Sequence, residues 1–138
     1  MVYNDEVKDS SGISVAGRVP RVASLDGWCG HDWSGGVHLF DLSAMHRLTV
    51  TTRNSIYDIV VVSPRTGQVM VRGGAFFPSF TAARLCGSSL GGGLLKLHVV
   101  HPGFCLELCH DEVGVVVTTP VRTVIAAAAT SDHHETVM

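Results

Sequence analysis

A chain of 138 residues, 46% hydrophobic and 16% charged, is long enough for one domain with a real core and too apolar and charge-poor to stay disordered. A formal net charge of −2 argues against a surface built to grip phosphate backbones, and no stretch approaches the ~20 apolar residues of a membrane span. The opening MVYNDEVKDSSG is polar and acidic where a secretory signal needs a basic start and a greasy run, so cytoplasmic residence is the expectation.

In chain order, residues 1–12 read as a flexible N-terminal arm, 13–127 as a single β domain and 128–138, with His133 and His134, as a flexible tail. From Ile13 to Gly36 the density of glycine and tryptophan and the lack of a helical period predict short strands and loops. FDLSAMHR is the best helical candidate, a turn opened by Asp41 or Ser43 as cap. From Arg47 the pattern becomes β: RLTVTT alternates Leu48 and Val50 with threonines, and IYDIVVVS is β-branched and aromatic. SPRTGQ then predicts a turn and VMVR its hairpin partner. Further strands are expected at TAARLC, LLKLHVV, FCLELCH, VGVVVTT and VRTVIAA, close to ten residues apart. The run VIAAAAT has helical propensity and is too short to change the class. The expected fold is therefore all-β: one antiparallel barrel or sandwich of about eight strands with at most one short helix.

RLCGSSLGGGLLKLHVV invites a phosphate cradle. The glycine spacing of a P-loop runs from Gly87 to Gly92, but Gly93 and Leu94 stand where lysine and a hydroxyl are required, and a strand follows instead of a helix. The glycines then supply a bulge or a close backbone approach. The alternative is a loop whose amides and Ser88 or Ser89 hydroxyls hold a ligand.

Four cysteines and eight histidines raise the question of metal. The cysteine spacings fit no small secreted framework and suit reduced thiols, although an even number permits disulfides. Cys105 and Cys109 are four residues apart; on a strand that is roughly 13 Å, too far to share an ion or a disulfide. Phe104, Leu106 and Leu108 then face the core, with Cys105, Glu107 and Cys109 pointing away. Only a dispersed set drawn from Cys29, His31, His98, His101, Cys109 and His110 remains for a metal, and no cofactor is implied.

No nucleophile elbow is present, and His31, Asp32 and Ser34 in GHDWSGG are too close in sequence for triad geometry. Asp111 and Glu112 sit in the turn HDEVG as soluble turn formers. Seven basic residues against four acidic ones lie between Arg47 and Arg122. They allow a polar rim of Arg53, Asn54, Ser55, Tyr57, Arg72, Thr119 and Arg122 around an anionic ligand, beside the plainer reading of TTRNSIYD as a tight turn. Nucleic acid is disfavoured because exposed stacking aromatics are scarce; AFFPSF, with Phe76, Phe77 and Phe80, reads as a core plug or an oligomer contact.

The order LTVTTRNSIYDI, VRGGAFF, LCGSSLGGGLLKL, GFCLEL and VVTTPVRTV resembles a family of small, uncharacterised bacterial all-β proteins with T-x-N-S-x-Y, GG, G-S-x-x-G-G and T-S-P-V signatures. The resemblance covers about residues 39 to 125, with Ile13 to His38 matching only loosely. It implies a compact β domain and brings no activity with it. Thr119 departs from the expected serine, and His98 and His101 fall where small residues are usual.

High apolar content, low charge and the prospect of open strand edges point to a non-enzymatic binding or assembly module, a homo-oligomer or one that docks onto a protein partner. Metal binding through the dispersed histidines and cysteines is the second expectation. A weak anionic-ligand or nucleic-acid binder acting through strand arginines is the third.

Overall fold

Side chains that alternate inward and outward need an interior on one side of the sheet, and a sheet that returns to its first strand supplies it. The computed structural model describes residues 2–3, 24–91 and 93–128. Its strands are β1 (Val2–Tyr3), β2 (Val37–His38), β3 (Arg47–Thr52), β4 (Ile56–Ser63), β5 (Gln68–Gly73), β6 (Phe77–Ser89), β7 (Leu95–Leu97), β8 (Val99–Val100), β9 (Cys105–His110) and β10 (Gly114–Ala127). One short helix, α1 (Leu25–Cys29), and two 3-10 turns, Trp33–Gly35 and Leu39–Asp41, precede the main strands.

β3, β4, β5 and β6 pair in sequence order, β6 passes to β9, β9 to β10, and β10 returns to β3. All these ladders are antiparallel. The hydrogen bonds thus form a ring, as an all-β sheet can do to remove its edges. Two long strands make the closure possible. β6 pairs with β5 up to Arg84 and with β9 from Arg84 to Ser89; β10 pairs with β9 up to Pro120 and with β3 from Val121 onward. Pro120 cannot donate to a ladder, and it sits where the β9–β10 register slips. There the buried Thr118 hydroxyl accepts from Leu106 N (2.9 Å) and donates to Thr119 O (2.7 Å), replacing ladder bonds with side-chain ones.

The interior is filled by Leu48 and Val50 from β3, Tyr57, Ile59 and Val61 from β4, Val69 and Val71 from β5, Phe77 and Leu85 from β6, Leu106 and Leu108 from β9, and Val116 and Val121 from β10. On β3, β4, β5 and β9 these are alternate positions, while on β10 the register shifts around Pro120 let Val116 and Val121, five residues apart, both face inward; each side chain so buried is worth ~1.5–3 kcal/mol. A separate buried cluster of Trp28, Trp33, Val99 and Phe104 lies under the 24–46 segment. β2 joins that segment to β8 through Val37↔Val100 and His38↔Val99.

The all-β class holds, and several element assignments are corrected. The helix forms at LDGWC, where Ser24 caps it by accepting from Gly27 N; FDLSAMHR gives only the 3-10 turn Leu39–Asp41. LLKLHVV is two strands, because His98 adopts φ +60° and breaks the run. VGVVVTT and VRTVIAA are one bent strand, and β6 extends from AFFPSF through the cysteine into the glycine-serine loop. Val2 and Tyr3, at the start of the expected arm, lie parallel to β10 opposite Val116 and Val117. The rest of the expected arm and residues 129–138 of the expected tail lie outside the described residues. No helix among the described residues is long and apolar enough to cross a membrane.

Candidate functional site

Three places gather polar or reactive side chains, and each is set by a different part of the ring. The first is the aromatic cluster. α1 carries Trp28, the following loop carries His31 and Trp33, and the turn before β9 carries His101 and Phe104. The Trp28 and Trp33 rings lie 4.8 Å apart, His31 is 4.5 Å from Trp33, and the His31 and His101 rings are 5.2 Å apart. Edge-to-face packing of this kind suits aromatic quadrupoles. The Lys96 ammonium stands 5.8 Å over the Trp33 ring. His101 Nδ1 lies 2.7 Å from Pro102 O, which fixes its proton on that nitrogen. His31 Nε2 is buried with no hydrogen-bond partner among the described residues. Asp32 is held below the usual carboxylate range chiefly by hydrogen bonds with Ser34, with His31 and His101 adding to it.

The cluster is tied to the ring by a buried hydroxyl and by backbone hydrogen bonds, Val121 N donating to Phe104 O and Gly103 N to Val121 O at 2.8 Å each. Ser88 Oγ donates to Val99 O at 2.6 Å and accepts from His101 N at 3.1 Å. Ser89 Oγ accepts from Gly91 N at 3.1 Å. Both hydroxyls proposed as ligand contacts are thus buried and engaged with the chain's own backbone. Gly87 is required because a Cβ there would collide with the Lys96 carbonyl of β7, at φ +150°. Gly87 is thus a close-approach position, whereas Gly91 and Gly93 take positive φ, +101° and +77°, in open space.

The second place is the arginine rim. Among its proposed members, Tyr57 and Thr119 are buried while Arg53, Asn54 and Arg122 are exposed, so the set does not converge on one ligand. Ser55 closes the β3–β4 turn, its N–H donating to Thr52 Oγ1 at 3.1 Å. Arg53 and Arg122 each follow one member of the facing pair Thr52↔Val121, and because the strands are antiparallel they leave that pair in opposite directions. Arg72 lies elsewhere: it donates to Asp58 Oδ2 at 3.0 Å and stacks 4.5 Å from the Phe80 ring centroid. Phe77 is in the core, Phe76 packs against it, and Phe80 is half-buried on the outer wall.

The expected metal set is also scattered. Cys29 is exposed at the end of α1, His98 stacks on Phe40 at 5.2 Å, and His110 Nδ1 accepts from Glu112 N and Val113 N (3.2 Å each) to close the β9–β10 turn. Of the six, only His31 and His101 meet. No group of three His, Cys, Asp or Glu side chains able to hold a metal occurs among the described residues. Comparison with known proteins adds no relative: no family model, curated protein or solved structure matches the chain.

The third place was not foreseen from the sequence. Phe104, Leu106 and Leu108 are buried, as the alternation required, Glu107 between them is buried as well, and Cys109 lies on the strand beside Cys86 of β6. Cys109 faces Arg84 and Leu108 faces Leu85, and the ladder then slips so that Glu107 faces Gly87. Cys86 is the extra residue of that bulge. Its Sγ lies 3.8 Å from Arg84 O, directed back toward the residue opposite Cys109. Burial pushes the Cys86 thiol up to about 11, with Cys109 and Glu107 adding to it; burial and then Glu107 do the same to Cys105. Beside the pair lies a groove of about 250 Å³ lined by Gln68, Ala82, Ala83, Arg84, Cys109 and Asp111.

Proposed function

We propose that the protein is a non-enzymatic assembly module that associates with a second copy of itself, or docks onto a protein partner, through the outer wall formed by β10, β3, β4 and β5. The observation that carries this reading is the aliphatic surface of that wall. Ile56 and Ile125 are 60% and 63% exposed, on rows in which Ile125 faces Thr49 and Ile56 faces Thr51. Val60 and Met70 form the next half-exposed row, beside Arg47. These aliphatic side chains share one face with the threonines of β3 and with the Asp58–Arg72 pair, which lies in the row between Ile56 and Val60, a mixture of apolar and polar groups of the kind contact surfaces carry. Closure of the ring removes most free edges, so association through this wall rests on side chains and not on added strands.

Size-exclusion chromatography with light scattering tests the reading. The expected result is a dimer or larger species that Ile125→Lys and Ile56→Lys return to monomer with unchanged circular dichroism. A wild-type monomer at high concentration that also captures no partner overturns it.

One observation favours a second reading. Arg53 and Arg122 are both exposed, and this suits a weak anion or nucleic-acid contact. That reading expects binding that falls steeply with salt; the absence of binding at low salt removes it.

A further inference from the structure

Two thiols beside each other on adjacent strands are a chemical unit that neither cysteine forms alone. Cys86 is half-buried and Cys109 exposed, both are free, and Cys109 faces Arg84, two residues along β6 from Cys86. The register slip between Leu108 and Glu107 brings them together, because a regular ladder would hold residues 86 and 109 on a diagonal. The exposed member opens onto the groove, whose wall offers the Arg84 cation and the Asp111 anion. One charge of each sign beside a thiol suits a small zwitterionic peptide disulfide.

We propose that Cys86 and Cys109 are a redox-active cross-strand dithiol that takes small peptide disulfides from the groove and closes into an intramolecular disulfide between β6 and β9. The inference is independent of the assembly reading, since the pair lies away from the wall of β3 and β4. The exposed Cys109, as thiolate, attacks one sulfur of the incoming disulfide. The small S–S bond breaks, a mixed disulfide forms on Cys109, and the first small thiolate leaves and takes up the proton that Cys109 released. Cys86 then loses its proton and attacks Cys109 Sγ; the mixed disulfide breaks, and the second small thiolate leaves with that proton. Two protein thiols are oxidised, one small disulfide is reduced to two thiols, and no net proton is released. Cys86, shielded by the strand, is the resolving thiol, and the accessible Cys109 is the first to react.

The experiment treats the full folded chain with oxidised glutathione, quenches by alkylation, and maps peptides by mass spectrometry without reduction. A Cys86–Cys109 linked peptide, two hydrogens lighter than its reduced halves, is expected in the wild type and in the Cys29→Ser/Cys105→Ser variant. Cys86→Ser is expected to stop at glutathione held on Cys109, and Cys109→Ser to yield no link to Cys86. The wild-type map alone decides if a variant fails to fold. A wild type that retains glutathione on Cys109, or that links Cys86 only after denaturation, overturns the proposal.

Discussion

The ring interior and the aromatic cluster are both buried, yet they are held by different means. Inside the ring, Leu48, Ile59, Val71, Leu85 and Leu108 are aliphatic, fully enclosed and fixed by continuous ladders on both sides. Trp28, Trp33, Phe104 and the two histidines hang from a five-residue helix, a 3-10 turn and loops, and reach the ring through Ser88 and through the backbone hydrogen bonds of Gly103 and Phe104 with Val121. A core built on ladders opens only when the sheet opens. A cluster built on side-chain contacts between loops can open alone, at lower free energy. Both tryptophans of the chain lie in the second region, so fluorescence reports on it, whereas far-ultraviolet circular dichroism reports on the strands.

The largest expected effect comes from breaking the ring. Phe77 is completely buried among aliphatic neighbours, and Phe77→Ala is expected to lower global stability by about 3–5 kcal/mol. In urea, both fluorescence and circular dichroism then shift together, because the cluster has nothing to pack on once the sheet opens. A loss below about 1 kcal/mol would show that the ring interior is not the stabilising core. Ser88→Ala acts on the joint. It removes the donor to Val99 O and the acceptor of His101 N, leaving two polar groups to find partners, a cost of about 1–3 kcal/mol. Its expected signature is an earlier fluorescence transition with the dichroism midpoint nearly unmoved. If the two probes coincide in wild type and in Ser88→Ala alike, the regions form one cooperative unit and the contrast fails.

The same division decides what could be read from the sequence. Alternation is a local signal, and it placed Leu48, Val50, Leu106 and Leu108 inward before any pairing was known. Turn chemistry was equally local: Gly67, at φ +82°, ends the β4–β5 turn expected from SPRTGQ, and a Cβ there would crowd Leu85 O. Continuity was harder to read. Pro120 and the glycine-serine stretch looked like strand ends, while the chain uses them as bends within β10 and β6. Helix placement failed because a one-turn helix buries a single tryptophan, Trp28, and has no period to detect. The Cys86–Cys109 pair was invisible because it depends on which strand neighbours β9 and on a one-residue slip in that ladder, both long-range facts. The dispersed metal set failed for a related reason: similar residues were grouped by type while the ring sends His98, His110 and Cys29 to different places.

Alkaline pH separates the ring wall from the cluster. Cys86 and Cys105, both on the β6–β9 part of the wall, keep their protons up to about 11 when folded, through burial first and then Cys109 and Glu107 for Cys86 and Glu107 for Cys105, against 9.0 for an unperturbed thiol. A thiol that holds its proton more tightly when folded adds stability below pH 9, and that contribution is lost as pH rises toward 11. The dichroism midpoint is therefore expected to fall across this window, and Cys105→Ala to flatten the fall. An identical pH slope in the variant would show that the Cys105 thiol is not desolvated in solution.

The smallest expected effect concerns the outer wall, which belongs to neither buried region. Arg72 and Asp58 make a single ion pair with side chains 48% and 34% exposed, and Arg72 also stacks on Phe80. Exposed pairs of this kind contribute about 0–1 kcal/mol, so in a dilute monomer Arg72→Ala should move the dichroism midpoint by no more than that and leave fluorescence unchanged. The outcome differs if a second copy covers the wall. Arg72 would then be desolvated at the rim of an interface, and its removal would weaken association, so that the loss grows with protein concentration. Measured at two concentrations, the same substitution thus distinguishes an open wall from a covered one: a concentration-independent loss within about 1 kcal/mol leaves Arg72 as ordinary surface, while a loss that rises with concentration places it at the contact.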